Sequence, residues 1–387
     1  MLRTLAIVLI VLIGSTGFVG LICSGCQSPP GDPITGDPVA PTTSPAPAAI
    51  ATDIELTPST PSQPEQGGDP SEPSTALPLG SVSGVTDVTC PLQGSYPTGV
   101  KCQRLTVSCP GVEDIAVTVA VTTPAGGSGA TAILHDGGGG TTIFGHGDFA
   151  QNLVNRGMNT VQLAWATSWE ASPMAQSALV AACRPATLFR WVFSTVHGGS
   201  RTAGFCALGQ SGGSGAVGYA ISHYGMGDTL DFAMMAAGPP FGRIDYGCDP
   251  SSYTGPPVVA CAGTPNQIAG PMYYGAGHSS EIDAWEFTTA CHSGMATDAD
   301  RAKWAAASIV SPGAVYNYPR TPTSFWYCGM NPNNTPAMGT FFNSLITSTK
   351  EVNCIPTCSV ESFYADPPTL AAMTQRMYDS CQPRHQP

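Results

Sequence analysis

The feature that most constrains this chain is a five-residue turn set between a strand and a helix. Phe205-Cys206-Ala207-Leu208 is an apolar run of strand length, Gly209-Gln210-Ser211-Gly212-Gly213 follows, and Gly215 to His223 reads as a helix. A strand that reverses into a helix within so few residues leaves no room for side chains beside the turn, so glycines flank it. The central Ser211 is then pushed out at the sheet's edge, at the positive end of a helix dipole. A Gly-x-Ser-x-Gly run alone is common by chance, but between a strand and a helix it marks a nucleophile position.

A second glycine run lies upstream. Apolar Ala130 to Leu134 runs into His135-Asp136-Gly137-Gly138-Gly139-Gly140. Glycines let bare backbone N–H groups approach a carbonyl oxygen that gains charge in a transition state. Gly212, the residue after the serine, and Gly138 are the two expected donors.

The rest of the chain supplies a framework. Strands are predicted at Val100–Val107, Ile115–Val121, Thr160–Trp165, Phe232–Ala236, Ser324–Tyr327 and Glu351–Ile355. Helices are predicted at Asp148–Arg156, Ala178–Val196, Pro336–Thr347 and Pro367–Asp379. After an opening hairpin, strands and helices alternate, which implies an α/β fold: a mostly parallel sheet with helices on both faces. Residues 239–320 interrupt the alternation, with helical stretches near Glu281–Thr289 and Ala299–Ile309. An insertion after a strand's C-terminal end sits where such folds bind ligands, so it is expected to cap the site.

The Gly-x-Ser-x-Gly turn and the His-x-Gly-Gly-Gly loop, in this order, resemble those of esterases and lipases of the α/β-hydrolase superfamily. The resemblance covers roughly residues 100 to 387. It implies an ester hydrolase that passes through an acyl-serine, with no metal or organic cofactor and a small-molecule or lipid-like ester as substrate. It also implies an acid and a histidine, and here the sequence departs. Asn331, in Cys328-Gly329-Met330-Asn331, stands where a carboxylate is expected, and the loop Pro356–Asp366 holds Glu361 but no histidine. His135 and His146 flank the glycine loop, while His278 and His292 lie in the insertion. His197, His223 and His385 are poor candidates by position. His278, in a glycine-bounded polar loop, is the expected base, and Asp245, shortly after the Phe232–Ala236 strand, is the expected acid. Asp245 could equally be an ion-pair partner of Arg243, and Tyr273, Tyr274 and Trp285 could line a pocket or simply pack. The loss of both usual triad positions leaves a second expectation, a binding or scaffold protein that has kept the fold without the catalysis.

The N-terminus predicts export. Arg3 precedes an apolar run, Leu5 to Ile22, and Cys26 follows a Ser-Gly pair, as at a bacterial lipidation site. Residues 1–26 are expected to be a signal segment, with an uncleaved anchor as the competitor. Residues 27–84, rich in Pro, Ser and Thr, are expected to be a disordered tether, and residues 85–387 the folded domain. Fourteen cysteines, twelve of them beyond the leader, suit disulfides in an oxidising compartment. Cys90 with Cys102 or Cys109, and Cys354 or Cys358 with Cys381, are local candidates, and Cys206 and Cys328 are expected as buried free thiols. A formal charge of −12 argues against a nucleic-acid partner.

Overall fold

The computed structural model describes residues 76–383 apart from 127–128, 257, 260–268, 271–273, 275, 287, 331–334 and 360–361. The signal segment, Cys26, most of the tether, Asn331, Glu361, Tyr273 and His385 lie outside the described residues.

The strands, in chain order, are β1 (Ser81–Val88), β2 (Lys101–Ser108), β3 (Ile115–Thr122), β4 (Thr131–His135), β5 (Asn159–Trp165), β6 (Phe205–Gln210), β7 (Phe232–Ala236), the two-residue β8 (Val258–Val259) and β9 (Ala269–Gly270), β10 (Thr323–Met330) and β11 (Lys350–Ser359). The helices are α1 (Gly147–Asn155), α2 (Ala178–Ala181), α3 (Cys183–Trp191), α4 (Gly212–His223), α5 (Ile244–Cys248), α6 (Ala276–Glu286), α7 (Ala290–Ser293), α8 (Asp298–Ala307), α9 (Thr335–Leu345) and α10 (Pro367–Ser380).

Nine strands form one sheet in the order β1-β2-β3-β5-β4-β6-β7-β10-β11. The first three and the β3–β5 pair are antiparallel, and from β5 onward every pairing is parallel. The expected α/β-hydrolase arrangement is the one observed. The central strands β4, β6 and β7 are buried along their whole length, because helices cover both faces, and they therefore read as continuous apolar runs. On one face Ile133, Ala207 and Ala233 meet Ala186 and Phe189 of α3 and Ala216 and Tyr219 of α4. On the other, Leu134, Leu208 and Met234 meet Phe149 and Leu153 of α1 and Met373 and Met377 of α10.

Strand β1 departs from the expected boundary at residue 85. It pairs with β2 from Ser81, and Leu77 N–H already donates to His223 O (2.7 Å). Its side chains are almost all exposed, so backbone pairing alone makes it a strand, and no hydrophobic alternation announces it.

The insertion is fastened to the helix that starts at the serine. Tyr219 Oη donates to Ala307 O (2.6 Å) and His223 Nε2 donates to Ile309 O (2.9 Å). A disulfide joins Cys248 of α5 to Cys291 of α7. Among the described residues no helix is long and apolar enough to cross a membrane.

The cysteine expectations are partly corrected. Cys90 pairs with Cys102 as expected. Cys206 and Cys328 are not free thiols: Cys206 pairs with Cys381, and Cys328 with Cys358. Cys109 pairs with Cys183, and Cys354 is also oxidised. Residues remote in sequence meet because α10 lies against β6, and β11 runs beside β10. Apolar surroundings, which suggested buried thiols, suit a buried disulfide equally well.

Candidate active site

Ser211 sits at the junction of β6 and α4 with φ 49° and ψ −118°. For a residue with a Cβ this is a strained, sparsely populated conformation. Hydrogen bonds hold it there. Ser211 N–H donates to Ala236 O at the end of β7 (2.8 Å), and Ser211 O accepts from the N–H groups of Ser214 (2.9 Å) and Gly215 (3.3 Å) and from the Ser214 hydroxyl. The residue is half-buried.

The glycine loop packs directly on this turn. A Cβ on Gly137 would lie 3.2 Å from Ser211 Cβ. A Cβ on Gly212 would lie 2.1 Å from Gly138 O, and one on Gly213 would lie 2.5 Å from both His135 O and Asp136 O. The glycines are therefore required by backbone approaching backbone. Two bonds pin the loop to the chain that follows β5: Trp165 N–H to Gly140 O (2.8 Å) and Trp169 N–H to Gly139 O (3.1 Å). Within the described residues no backbone acceptor takes up the N–H of Gly138 or of Gly212. First-turn helix amides such as that of Gly212 have no intrahelical partner.

His135 is a structural histidine. Its ring is fully buried, its Nε2 accepts from the Trp165 indole N–H (3.0 Å), and its Nδ1 donates to Asp136 O (2.9 Å). That pattern needs the neutral ring, and burial pushes its pKa down to about 4. It fixes the start of the glycine loop. His197 bonds Thr131 Oγ1 and donates to Ser200 O, far from the turn in the chain's path. His292 lies beside the hydroxyls of Ser279 and Ser280.

His146 and His278 are placed differently. His146, just before α1, stacks on Tyr364 with ring centres 3.7 Å apart. Tyr364 belongs to the connection between β11 and α10, the stretch in which the family resemblance places a histidine. His278 lies on α6, half-buried, with its ring 5.9 Å from that of Tyr274. Tyr274 is buried and donates to Pro240 O (2.7 Å). Among the described residues no imidazole is hydrogen-bonded to the Ser211 hydroxyl. Asp245 is held by Arg243 through two hydrogen bonds, 2.8 and 2.5 Å. The ion-pair expectation therefore describes its contacts; burial, and then the charge of Asp245, raise the pKa of the Tyr274 phenol. Trp285 is buried against Phe241, with ring centres 5.1 Å apart, as a packing residue.

One residue at this site was missed in the sequence. Glu170, in the stretch after β5, is fully buried. Its Oε2 accepts from Ser168 Oγ (2.8 Å), and its Oε1 has no hydrogen-bond partner among the described residues. That free oxygen lies 2.9 Å from where a Gly212 Cβ would stand. Burial, opposed by the Ser168 bond and reinforced by the charge of Glu281 on α6, holds its carboxyl well above the usual carboxylate range. The available signal was a lone acid in Ser168-Trp169-Glu170-Ala171, an apolar strand exit where an unpaired carboxylate is costly.

No family model matches the sequence, and no curated protein does. Solved structures similar to it include a bacterial heroin esterase (16% identity, covering 73% of this chain and 84% of the other, TM-score 0.45). Others are brefeldin A esterase, a bacterial homologue of human hormone sensitive lipase (14%, 77% and 80%, 0.46), and a thermostable esterase from Pseudomonas putida (16%, 74% and 84%, 0.45). At such identities and TM-scores the likeness carries no functional argument, and the fold rests on the sheet order and the strand–serine–helix turn described above.

Proposed function

We propose that this protein is an exported carboxylic-ester hydrolase that works through an acyl-serine on Ser211. The observation that carries this reading is the strained turn at Ser211 with the Gly137–Gly138 segment laid over it and two amides left open. In the reaction Ser211 Oγ attacks the ester carbonyl as its proton passes to a base. The carbonyl oxygen becomes an oxyanion held by Gly138 and Gly212 N–H. The C–O bond to the alcohol breaks as the alcohol takes up that proton, and water then releases the acid by the same steps. These steps call on no metal or organic cofactor, and the substrate is a small or lipid-like ester.

His278 is the proposed base. Supporting this, Glu281 is one turn further along α6 and lies within electrostatic reach of Glu170, which touches Gly212. Asp245 is the proposed acid partner of that imidazole. Cys26 is proposed as the lipidated residue that ties the domain to the cell envelope, and the buried disulfides suit that compartment.

A second reading, an α/β-hydrolase fold kept for binding, is favoured by one observation: the Ser211 hydroxyl has no imidazole bonded to it among the described residues. Titration of the folded domain with a fluorophosphonate probe, beside Ser211→Ala, decides between the two. Stoichiometric labelling that the variant loses supports the hydrolase. Absence of labelling in folded protein supports the binding protein and sinks the hydrolase.

A further inference from the structure

The Glu170 carboxyl has no role in the reaction as written, yet it is buried beside one half of the oxyanion hole, while its neighbours Ser168 and Trp169 touch the other half. Residues 168–170 bridge them. On one side Trp169 N–H bonds Gly139 O, and a Cβ on Gly139 would lie 2.3 Å from Ser168 Oγ. On the other side Glu170 Oε1 faces Gly212, the residue after the nucleophile. The Ser168 hydroxyl fixes the second carboxyl oxygen, so the group cannot turn away.

The surroundings decide its charge. Glu281 of α6 adds a second negative charge. From α4, Tyr219 presents a phenol that is committed to Ala307 O. On the glycine loop, the Asp136 carboxylate accepts from Thr142 Oγ1 (2.7 Å) and His135 is a neutral ring. The Arg184 guanidinium donates to the carbonyls on either side, Trp169 O (3.1 Å) and Ala171 O (2.7 Å), but its ion pair is with Glu113 (3.3 Å). No cation among the described residues bonds either oxygen of Glu170. A buried carboxylate with one oxygen lacking any donor is strongly disfavoured, and such a group keeps its proton.

We propose that Glu170 is a positioning residue of the oxyanion hole, an uncharged carboxylic acid set against Gly212 where Gly212 meets Gly138 O, on the stretch that pins Gly139. It holds the two amides at their working separation, and its ionisation disables the hole. An anion at that position would oppose the charge that develops on the substrate oxygen. At about 5 Å and an effective dielectric near 20, that opposition corresponds to a rate loss on the order of 10²-fold. This rests on the serine-hydrolase reading above.

The test measures the rate of fluorophosphonate labelling of Ser211 against pH in the wild-type protein and in Glu170→Gln, which keeps the shape and the Ser168 bond but cannot ionise. The expected result is a wild-type rate that falls steeply at alkaline pH. Relative to its own rate at neutral pH, Glu170→Gln should lack that fall. A wild-type-minus-variant infrared spectrum at neutral pH should show the carbonyl band of a protonated carboxyl. An identical alkaline fall in both proteins, or no acid band, overturns the proposal while leaving Ser211 as nucleophile. Loss of labelling in Glu170→Gln at every pH, in protein as stable as wild type, also overturns it, since that outcome makes the carboxylate the proton acceptor. Wild-type protein that labels at no pH overturns both this proposal and the hydrolase reading.

Discussion

Gly212→Ala is the substitution whose outcome the structure specifies most closely. The new methyl would lie 2.1 Å from Gly138 O and 2.9 Å from Glu170 Oε1, against an ordinary contact of 3.4 Å or more. Gly212 has no positive φ, so alanine fits its backbone and the whole effect comes from that contact. Relief requires the Gly138 segment to withdraw by roughly 1.3 Å, the difference between the two distances. Gly138 O belongs to backbone tethered through Trp165 and Trp169, so it cannot swing aside as a side-chain tip would. Displacing a reacting group by about 1 Å costs on the order of 10²-fold, and losing one oxyanion donor costs about 10²–10³-fold. Gly212→Ala should therefore label with a fluorophosphonate about 10²–10³-fold more slowly than wild type. The control is Gly145→Ala, where nothing lies within 4 Å of the new Cβ; it should label at the wild-type rate. A folded Gly212→Ala protein that labels as fast as wild type would refute the assignment of these two glycines to one hole.

Three further outcomes are expected. If His278 is the base, His278→Ala slows labelling by about 10²–10⁴-fold while His146→Ala stays within a few-fold; the reverse ranking moves the role to the histidine stacked on Tyr364. Replacing Cys206 and Cys381 by serine opens a loop whose ends are 175 residues apart, worth on the order of 5 kcal/mol by chain entropy; urea midpoints should fall accordingly, and an unchanged midpoint would mean that this bond restrains little. His135 binds its proton less readily folded, at about 4, than unfolded, near 6.5. The unfolded chain then holds the extra proton between those values, so stability is full above pH 6.5 and declines by about 3 kcal/mol as pH falls to 4. Burial lowers His197 and His223 as well, so denaturation free energies that stay flat over that window would contradict the buried neutral ring.

The sequence alone determined the sheet and the placing of the turn. The strand predicted at Phe232–Ala236 has those bounds in the structure, and Pro367–Asp379 is α10 to within a residue. Both are legible because periodicity and chain order are local properties. The serine and its two glycine runs were equally legible, since close backbone approach leaves few residue types that fit. Strand β1 was not, because its pairing partner, and no pattern of its own, makes it a strand. Nor were the disulfides of Cys206 and Cys328, whose partners are set by how α10 and β11 lie against the sheet. Glu170 shows the same division at the site: its letter is ordinary, and only the meeting of separate segments around it buries the acid and holds its carboxyl above the usual carboxylate range. Charge state depends on what surrounds a group in space, and sequence order does not carry that.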